Sequence, residues 1–247
     1  MNILFEDNSI IVAEKPVGML SQADDSHDPD ILSEIKKIVK ARDGKPGNVF
    51  LGLVHRLDRN VGGVMVFAKN SKSAARLSKS IIKGEFEKKY IAIVNGIPGE
   101  DDQEYNLESF LIKDKESNKA EVFDTMPEAK QFENFHPKAE RVKVAKLKYK
   151  VLKTSNNKSL IDVQLLTGRF HQIRAQLAHA GFPLEGDTKY NKNISSADII
   201  SKKNLHPALW AYSLKFPHPI THKDMQFQSV PSEEFWKEFQ DTIIDIQ

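Results

Sequence analysis

Cysteine is absent from this sequence of 247 residues. Its absence excludes disulfide bonds, thiolate metal ligands and a cysteine nucleophile together. Long apolar runs are absent as well, since none approaches the roughly 18 residues that a membrane-spanning helix requires. The opening segment Met1–Asp7 also lacks the basic and then apolar pattern of a secretion signal. We therefore expect a soluble, cytoplasmic protein with no membrane partner.

Cofactor-binding motifs are missing too. The sequence has neither a Gly-x-Gly-x-x-Gly segment after a strand nor a phosphate-binding Gly-Lys-Ser/Thr loop. His218 and His222 have the spacing of a helical ligand pair, but Pro219 lies between them and no carboxylate cluster completes a site. These patterns predict a protein without a metal ion or another cofactor.

The charges of the sequence are nearly balanced but segregated. There are 36 basic and 34 acidic residues, which leave a net charge of +2. Residues 69–90 and 138–153 are rich in basic side chains, whereas residues 98–108 are acidic. Segregated charge can attract polyphosphate to one face, and it is equally typical of solvated helix and strand faces. Charge alone leaves both interpretations open.

The apolar share of 40%, with 14 Phe, is enough to bury a core in one domain over residues 1–247. β-Branched and aromatic clusters between turn signals predict strands at 8–15, 64–68, 90–94, 147–152, 160–166, 208–216 and 225–230. Helical spacing predicts helices at 30–41, about 70–84, 171–180 and after Pro231. This order predicts an α+β fold, with a largely antiparallel mixed sheet flanked by helices and a loop-like excursion at about 98–141.

The segment His55–Gly63 places Asp58 between two arginines. Nearby positive charge holds such a carboxylate ionised, which suits a nucleophile or a general base. Gly62 and Gly63 at the end of the segment permit close approach of a ligand to the backbone. A surface salt bridge in a turn would give the same pattern, so the residues alone leave both roles open.

A second segment, Thr167–Arg174, reads Thr-Gly-Arg-Phe-His-Gln-Ile-Arg, and Gly181–Tyr190 follows it with Gly-Phe-Pro-Leu-Glu-Gly-Asp-Thr-Lys-Tyr. Together with His-Arg-Leu-Asp at 55–58, these segments resemble the signatures of the RluA-type RNA pseudouridine synthases. The start of the chain and the Lys-x-Tyr-x-Ala pattern around Tyr90 are similar to the same family. The resemblance spans nearly the whole chain except for the excursion.

The resemblance implies a role for each matching residue. By this resemblance Asp58 is the catalytic carboxylate, Arg56 takes the place of the flipped uridine, and Tyr90 stacks on the target base. Arg169 is expected to meet the catalytic carboxylate, and Ile173 of the same motif to contact the substrate. Without the flanking motifs, a tyrosine on a strand would be interpreted as part of the core.

The match is incomplete beside the catalytic aspartate. Asn60, Val61 and Gly62 depart from the more common Asp-Thr-Ser, which affects expectations about local packing more than the assignment of Asp58. Basic charge and the second motif together nominate four further side chains for contact with RNA. They are Lys69, Lys72, Arg76 and Arg174.

The implied activity is isomerisation of uridine to pseudouridine in structured RNA by a monomeric catalytic domain without an S4-type RNA-binding domain. Ribosomal and transfer RNA both remain open as the substrate. Asp58 could attack C1′, attack C6 or remove the proton from C2′. Two other classes are a catalytically silent RNA-binding protein and a nucleosidase or glycosidase. The latter normally needs a second carboxylate, and the sequence identifies none near Asp58.

Overall fold

A computed structural model of the chain describes residues 1–44, 47–194 and 205–246. Its strands are β1 (Asn2–Glu6), β2 (Ile10–Lys15), β3 (Gly52–Leu53), β4 (Gly62–Ala68), β5 (Glu87–Asn95), β6 (Glu104–Asp114), β7 (Lys119–Phe123), β8 (Lys143–Ser155), β9 (Lys158–Leu165), β10 (Leu209–Pro217) and β11 (Asp224–Gln228). Its helices are α1 (Ile31–Asp43), α2 (Ser71–Ile82), α3 (Met126–Phe135), α4 (Gln172–His179), a 3₁₀ helix (Glu234–Phe239) and α5 (Gln240–Asp245). Contacts divide the chain into a first unit, Met1–Lys88 with Trp210–Pro231, and a second unit, Lys89–Leu209 with Ser232–Ile246.

The first unit is built on strands around β4, in which every residue is buried. β2 pairs antiparallel with β1 and β4, and β3 also pairs antiparallel with β4. β10 runs parallel to β4 and pairs antiparallel with β11. Val64 and Val66 of β4 share a core with Ile10, Leu77 and Phe216. This core is the surface on which α2 packs.

Both helices of the first unit begin at a side chain that caps them. The Asp30 carboxylate accepts the Ser33 N–H at 2.9 Å where α1 starts, and Gly44 ends that helix with a φ of 58°. The Asn70 amide oxygen accepts the Ser73 N–H at 2.8 Å where α2 starts. Capping of this kind satisfies backbone donors that the first turn leaves without partners. The helices predicted near these positions are therefore confirmed.

The second unit has strands in the order β5, β9, β8, β6 and β7. The β6–β7, β6–β8 and β8–β9 pairs are all antiparallel. Asn156 and Asn157 join β8 to β9 with φ values of 48° and 58°, which is the left-handed geometry of a tight hairpin turn. The hairpin predicted at this turn is therefore confirmed. One face of the sheet buries Leu111, Ala120, Ala145 and Ala175.

The segment at about 98–141 differs from the loop-like excursion expected from its acidic sequence. It contains β6, β7 and α3, and β6 alone spans 11 residues. An ion-pair ladder joins this segment to β8, with Lys146–Glu108 at 2.9 Å, Lys148–Glu104 at 2.7 Å and Lys150–Asp102 at 2.8 Å. Opposite charges on neighbouring strands stabilise their pairing. Three of the five carboxylates at 98–108 are therefore paired with three of the seven basic residues at 138–153.

Each unit combines a mostly antiparallel sheet with helices, and this confirms the expected α+β class. Over the described ranges of the chain, no helix is long and apolar enough to cross a membrane.

Candidate active site

Asp58 lies in the loop between β3 and β4, and its backbone is held on both sides. The Ser21 hydroxyl donates to the Leu57 carbonyl oxygen at 2.7 Å and accepts the Leu57 N–H at 3.1 Å. The Val61 N–H donates to the carbonyl oxygen of Asp58 at 3.1 Å and closes a turn. These bonds fix the peptide groups that flank the carboxylate, whose own side chain is half-buried.

Lys15, the last residue of β2, is fully buried and binds the loop that carries Asp58. Its ammonium donates to the carbonyl oxygens of Pro16 at 3.0 Å, Met19 at 2.7 Å and Arg59 at 3.0 Å. Burial lowers the pKa of Lys15 to about 7, and the negative charge of Asp58 opposes that shift. Lys15 thus ties β2 to the residue that follows Asp58, a role that the sequence did not reveal.

We expect Lys15→Met to lower the free energy of unfolding by about 2–3 kcal/mol, because methionine has similar volume but leaves buried carbonyl groups without a donor. Urea denaturation of both proteins measures the difference. Lys40→Met is the matched control, since Lys40 is exposed on α1, and it should change stability by less than about 0.5 kcal/mol. Equal stability of the Lys15 variant and the wild type would contradict the role of this ammonium.

The two arginines beside Asp58 have different environments. The Arg59 Nε–H donates to the Gly18 carbonyl oxygen at 3.1 Å, and the Gly18 N–H donates to the Arg59 carbonyl oxygen at 2.9 Å. The Arg59 guanidinium also pairs with Asp28 at 2.7 Å. Arg56 is exposed. Arg59 therefore shapes the loop, whereas Arg56 has the accessibility that contact with RNA requires.

His55, the first residue of the signature, acts as a hydrogen-bond acceptor for β4. Its Nε2 accepts the Val66 N–H at 3.1 Å. Burial lowers the pKa of His55 to about 3, and the charge of Lys88 adds to that effect. The imidazole is therefore neutral near pH 7, with its proton on Nδ1. This geometry favours a structural role for His55 over proton transfer.

The glycines that end the first signature serve packing, which corrects their interpretation as a place for a ligand to approach. A Cβ atom on Gly62 would lie 2.2 Å from Cζ3 of Trp210. Gly63 has a φ of 125°, and a Cβ atom there would lie 2.2 Å from the carbonyl oxygen of Ala211. Trp210 and Ala211 belong to β10, so the glycines allow β10 to run directly against β4.

In the second unit, Gln172 organises the loop that carries Arg169. The Gln172 side-chain oxygen accepts the Thr167 hydroxyl at 2.9 Å and the Arg169 N–H at 3.0 Å, while its Nε2 donates to the Lys146 carbonyl oxygen at 3.0 Å. The Arg169 Nε–H donates to the Val144 carbonyl oxygen at 2.9 Å. Arg169 is nevertheless exposed, so its guanidinium is oriented from one side and accessible to a ligand.

His171 connects the second signature to the segment that follows α4. It precedes α4 with a φ of 51°, and its Nδ1 lies 2.8 Å from the Tyr190 hydroxyl. That hydroxyl also accepts the Ala120 N–H at 2.8 Å and so links His171 to β7. Burial lowers the pKa of His171 to about 2, with a smaller contribution from Arg174. Neither His171 nor Tyr190 was predicted as part of a hydrogen-bond network.

Arg174 forms a buried ion pair with Asp187. Its Nε lies 2.7 Å from Oδ2 of Asp187, and a terminal nitrogen lies 2.8 Å from Oδ1. Asp187 is fully buried and also accepts the Lys189 N–H at 3.0 Å. This bidentate pair fastens the segment after α4 to the helix. The geometry favours a structural role for Arg174 and lends no support to its expected contact with RNA.

The two predicted substrate-binding residues with apolar or aromatic side chains are largely buried. Tyr90 on β5 is 7% exposed, and Ile173 on α4 is 3% exposed. Each lies within the second unit at an element whose existence the sequence predicted. Their contacts with a base stay a prediction.

The three predicted RNA-binding residues of the first unit differ in their surroundings. Lys69 donates to Glu6 at 2.6 Å and to the Asp7 carbonyl oxygen at 2.6 Å. The hydrogen bond from Arg42 lowers the pKa of Glu6 to about 2 against the effect of burial, with Lys69 contributing. Lys72 is exposed, and Arg76 is half-buried. Lys69 is therefore engaged within the protein, whereas the Lys72 side chain points to solvent.

His218, one of the two histidines with ligand-like spacing, forms hydrogen bonds within the protein. His218 Nε2 lies 2.9 Å from Oδ2 of Asp7, and its Nδ1 accepts the Thr221 N–H at 3.0 Å. No cluster of three or more His, Asp or Glu residues that could hold a metal ion occurs in the parts of the chain that the structure describes.

Comparison with known proteins identifies the family of this chain. A family model described as RNA pseudouridylate synthase matches residues 9–179. The ribosomal large subunit pseudouridine synthase C of Buchnera aphidicola subsp. Schizaphis graminum is 31% identical over 247 residues, which cover 98% of this chain and 71% of that protein. The tRNA pseudouridine synthase C of Haemophilus ducreyi is 30% identical over 242 residues, which cover 95% of this chain and 93% of that protein. The chain belongs to the RNA pseudouridylate synthase family. It is therefore an isomerase that converts uridine to pseudouridine in RNA.

Solved structures give the same fold. Human RNA Pseudouridylate Synthase Domain Containing 4 matches 98% of this chain and 93% of its own, with a TM-score of 0.72 and 20% identity. Human RNA Pseudouridylate Synthase Domain Containing 1 matches with a TM-score of 0.67 and 16% identity. At these identities the similarity shows the fold alone.

Proposed function

We propose that Asp58 is the catalytic carboxylate that isomerises uridine in RNA. The observation that carries this proposal is the construction of its loop, in which Ser21 binds the residue before Asp58 and Lys15 binds the residue after it. A catalytic group requires such preorganisation, because small displacements of a reacting atom lower the rate steeply. Asp58 also lies within the segment that matches the family.

The reaction balances without a second substrate. The N1–C1′ bond of uridine breaks, the uracil turns and a C5–C1′ bond forms. The proton on C5 leaves to solvent and N1 takes up a proton, so substrate and product are isomers. An ionised Asp58 carboxylate serves this sequence in three ways: attack at C1′, attack at C6 or removal of the C2′ proton. Each way requires the charged form of the carboxylate. All three end with the same product, so the proposal holds for any of them.

The target uridine has to leave its stack before Asp58 can reach it, which costs a few kcal/mol in a paired region and less in a loop. We assign Tyr90 to stacking on the flipped base and Ile173 to apolar contact with the substrate. Arg56 is assigned to the space that the base vacates. Its exposure supports that role, because a side chain entering an RNA helix has to extend from the surface.

The substrate is proposed to be ribosomal or transfer RNA. The relatives with comparable identity are named for both classes, the large ribosomal subunit in one case and transfer RNA in the other. The chain spans 71% of the first ribosomal relative and 63% of a second one from Buchnera aphidicola subsp. Acyrthosiphon pisum. We further propose that it acts as a monomer in the cytoplasm.

Transcripts labelled with tritium at C5 of uridine test this activity, since joining C5 to C1′ releases the label as water. We expect the purified protein to release tritium from ribosomal or transfer RNA transcripts and to leave the chain length of the RNA unchanged. Chromatography of the digested product should show pseudouridine and no uracil base. Uracil in the supernatant would instead indicate a nucleosidase, and RNA binding without tritium release would indicate a silent RNA-binding protein.

Arg169→Ala is expected to lower the rate at neutral pH and to move the acidic limb of the pH–rate profile to higher pH. The family resemblance implies that the Arg169 charge acts on the catalytic carboxylate, and loss of a nearby positive charge disfavours the ionised form. The rate should recover partly at alkaline pH. Arg169→Lys should rescue poorly, because lysine lacks the planar fork of donors.

The matched control for that measurement is Arg141→Ala, which removes an exposed arginine of the same unit. Its pH–rate profile should equal that of the wild type. If Arg169→Ala keeps the wild-type pH dependence and only weakens RNA binding, Arg169 contacts phosphate and has no influence on the carboxylate.

A further inference from the structure

Four basic residues form one stripe along α2 and its C-cap. They are Lys72, Arg76, Lys79 and Lys83. Their spacing of four, three and four residues places them on a single helical face. At a rise of 1.5 Å per residue the stripe is about 16 Å long. α2 contains no acidic residue, and its buried face, with Leu77, packs on the core of the first unit.

Three residues of the α2 stripe, Arg76, Lys79 and Lys83, line a groove of about 500 Å³. The opposite wall is the turn at 217–222 between β10 and β11, which His218 holds in place. His218 Nε2 donates to Asp7 at 2.9 Å, and its Nδ1 accepts two backbone N–H groups of the turn. Arg76 donates to the Pro219 carbonyl oxygen at 2.8 Å and thereby fastens α2 to the turn. The groove is therefore a fixed feature of the first unit.

Acidic side chains compensate the stripe only weakly. Glu85 and Asp224 also line the groove. Glu85 lies 3.4 Å from Lys83, and Asp224 lies 3.3 Å from Lys215. Both pairs are exposed to solvent, where such contacts contribute about 0–1 kcal/mol. Within the described part of the chain, no ion pair involves the two other lysines of the stripe. Three of the five lysines of β8, by contrast, lie in the ion-pair ladder.

We propose that the α2 stripe and its groove bind the sugar–phosphate backbone of the substrate RNA outside the target nucleotide. A row of evenly spaced cations is complementary to a row of phosphates. No Phe, Tyr or Trp is among the described residues that line the groove, whose basic lining favours phosphate over bases as its ligand. Contacts of this kind position RNA without reading its sequence. The proposal rests on the proposed function only in that RNA is the ligand.

A triple variant, Lys72→Gln with Lys79→Gln and Lys83→Gln, tests the stripe while keeping Arg76, which joins α2 to the turn. The probe is a labelled adenosine oligonucleotide of about 20 nucleotides, which contains no uridine and so reports binding independently of catalysis. At about 50 mM NaCl we expect affinity to fall by about tenfold or more. The slope of log affinity against log salt concentration should shrink by about 2, because each phosphate contact on a single strand contributes about 0.7.

The matched control is Lys36→Gln with Lys37→Gln and Lys40→Gln, which makes the same charge change on α1. This control should retain affinity within about twofold. The arginine version of the stripe variant, Lys72→Arg with Lys79→Arg and Lys83→Arg, should do the same because it keeps the charge. Equal losses in the α1 and α2 variants, or no loss in the α2 variant, would overturn the proposal. A loss in the arginine version would overturn it as well, because charge would then not be the cause. Weaker binding to phosphatidylserine vesicles with unchanged binding to the oligonucleotide would assign the stripe to a membrane surface.

Discussion

Asp58→Asn is expected to lower the rate of pseudouridine formation by at least about 1,000-fold, which corresponds to about 4 kcal/mol of activation free energy. Asparagine has nearly the same size and shape as aspartate, so the substitution removes the charge and little else. The hydrogen bonds that hold the flanking peptide groups come from Ser21 and Lys15, and none of these involves the Asp58 side chain. RNA affinity should therefore stay within a few-fold of the wild type.

Asp28→Asn is the matched control for this experiment. Asp28 belongs to the same unit and its carboxylate pairs with Arg59, but both side chains of that pair are substantially exposed. Loss of an exposed pair costs about 0–1 kcal/mol, so activity should change only a few-fold. Single-turnover kinetics at saturating enzyme, combined with equilibrium binding to the same RNA, separate the loss of chemistry from a loss of binding. Substantial turnover by Asp58→Asn would remove Asp58 from the catalytic role.

Arg174→Met is expected to lower the free energy of unfolding by about 3–5 kcal/mol, because it leaves a buried carboxylate without its counter-ion. Asp187 is fully buried, so solvent cannot replace the two bonds from Arg174. A double variant with Asp187→Leu should recover part of this loss, since it removes the buried charge together with its partner. Urea denaturation of the wild type, the single variant and the double variant measures all three stabilities.

A loss below about 1 kcal/mol for Arg174→Met would show that this ion pair does not stabilise the second unit. The opposite ordering, with the double variant less stable than the single one, would mean that Asp187 acts mainly through its bonds to backbone N–H groups. Glu104→Gln provides a surface comparison, because its pair with Lys148 in the ion-pair ladder is exposed and should be worth less than about 1 kcal/mol.

Local signals predicted the elements whose ends are set by neighbouring residues. The cap at Asp30 lies next to the helix that it starts, and Asn156 with Asn157 forms the turn of a hairpin without help from distant residues. The resemblance nominated Asp58 and Arg169 as site residues, whereas the residues around Asp58 alone also allowed a surface salt bridge. The family assignment thus depended on two separated motifs, which composition and periodicity could not supply.

Features that depend on long-range register were missed for a physical reason. The acidic segment near Glu104 has the composition of a loop, and only its pairing with β8 brings its carboxylates beside lysines about 40 residues away. Nothing in the sequence around Lys15 indicates that three carbonyl oxygens will surround its ammonium. Gly62 was interpreted as space for a ligand because the neighbour that fills that space, Trp210, lies far along the chain.

Mapping of pseudouridine in total RNA tests the central claim most directly. The cells to compare are those with the gene, those without it, and deletion cells that carry either the wild-type gene or Asp58→Asn. We predict that at least one pseudouridine in ribosomal or transfer RNA disappears on deletion, returns with the wild-type gene and stays absent with Asp58→Asn. Identical maps with and without the gene, or a site restored by Asp58→Asn, would contradict the assignment of this chain as an Asp58-dependent RNA pseudouridine synthase.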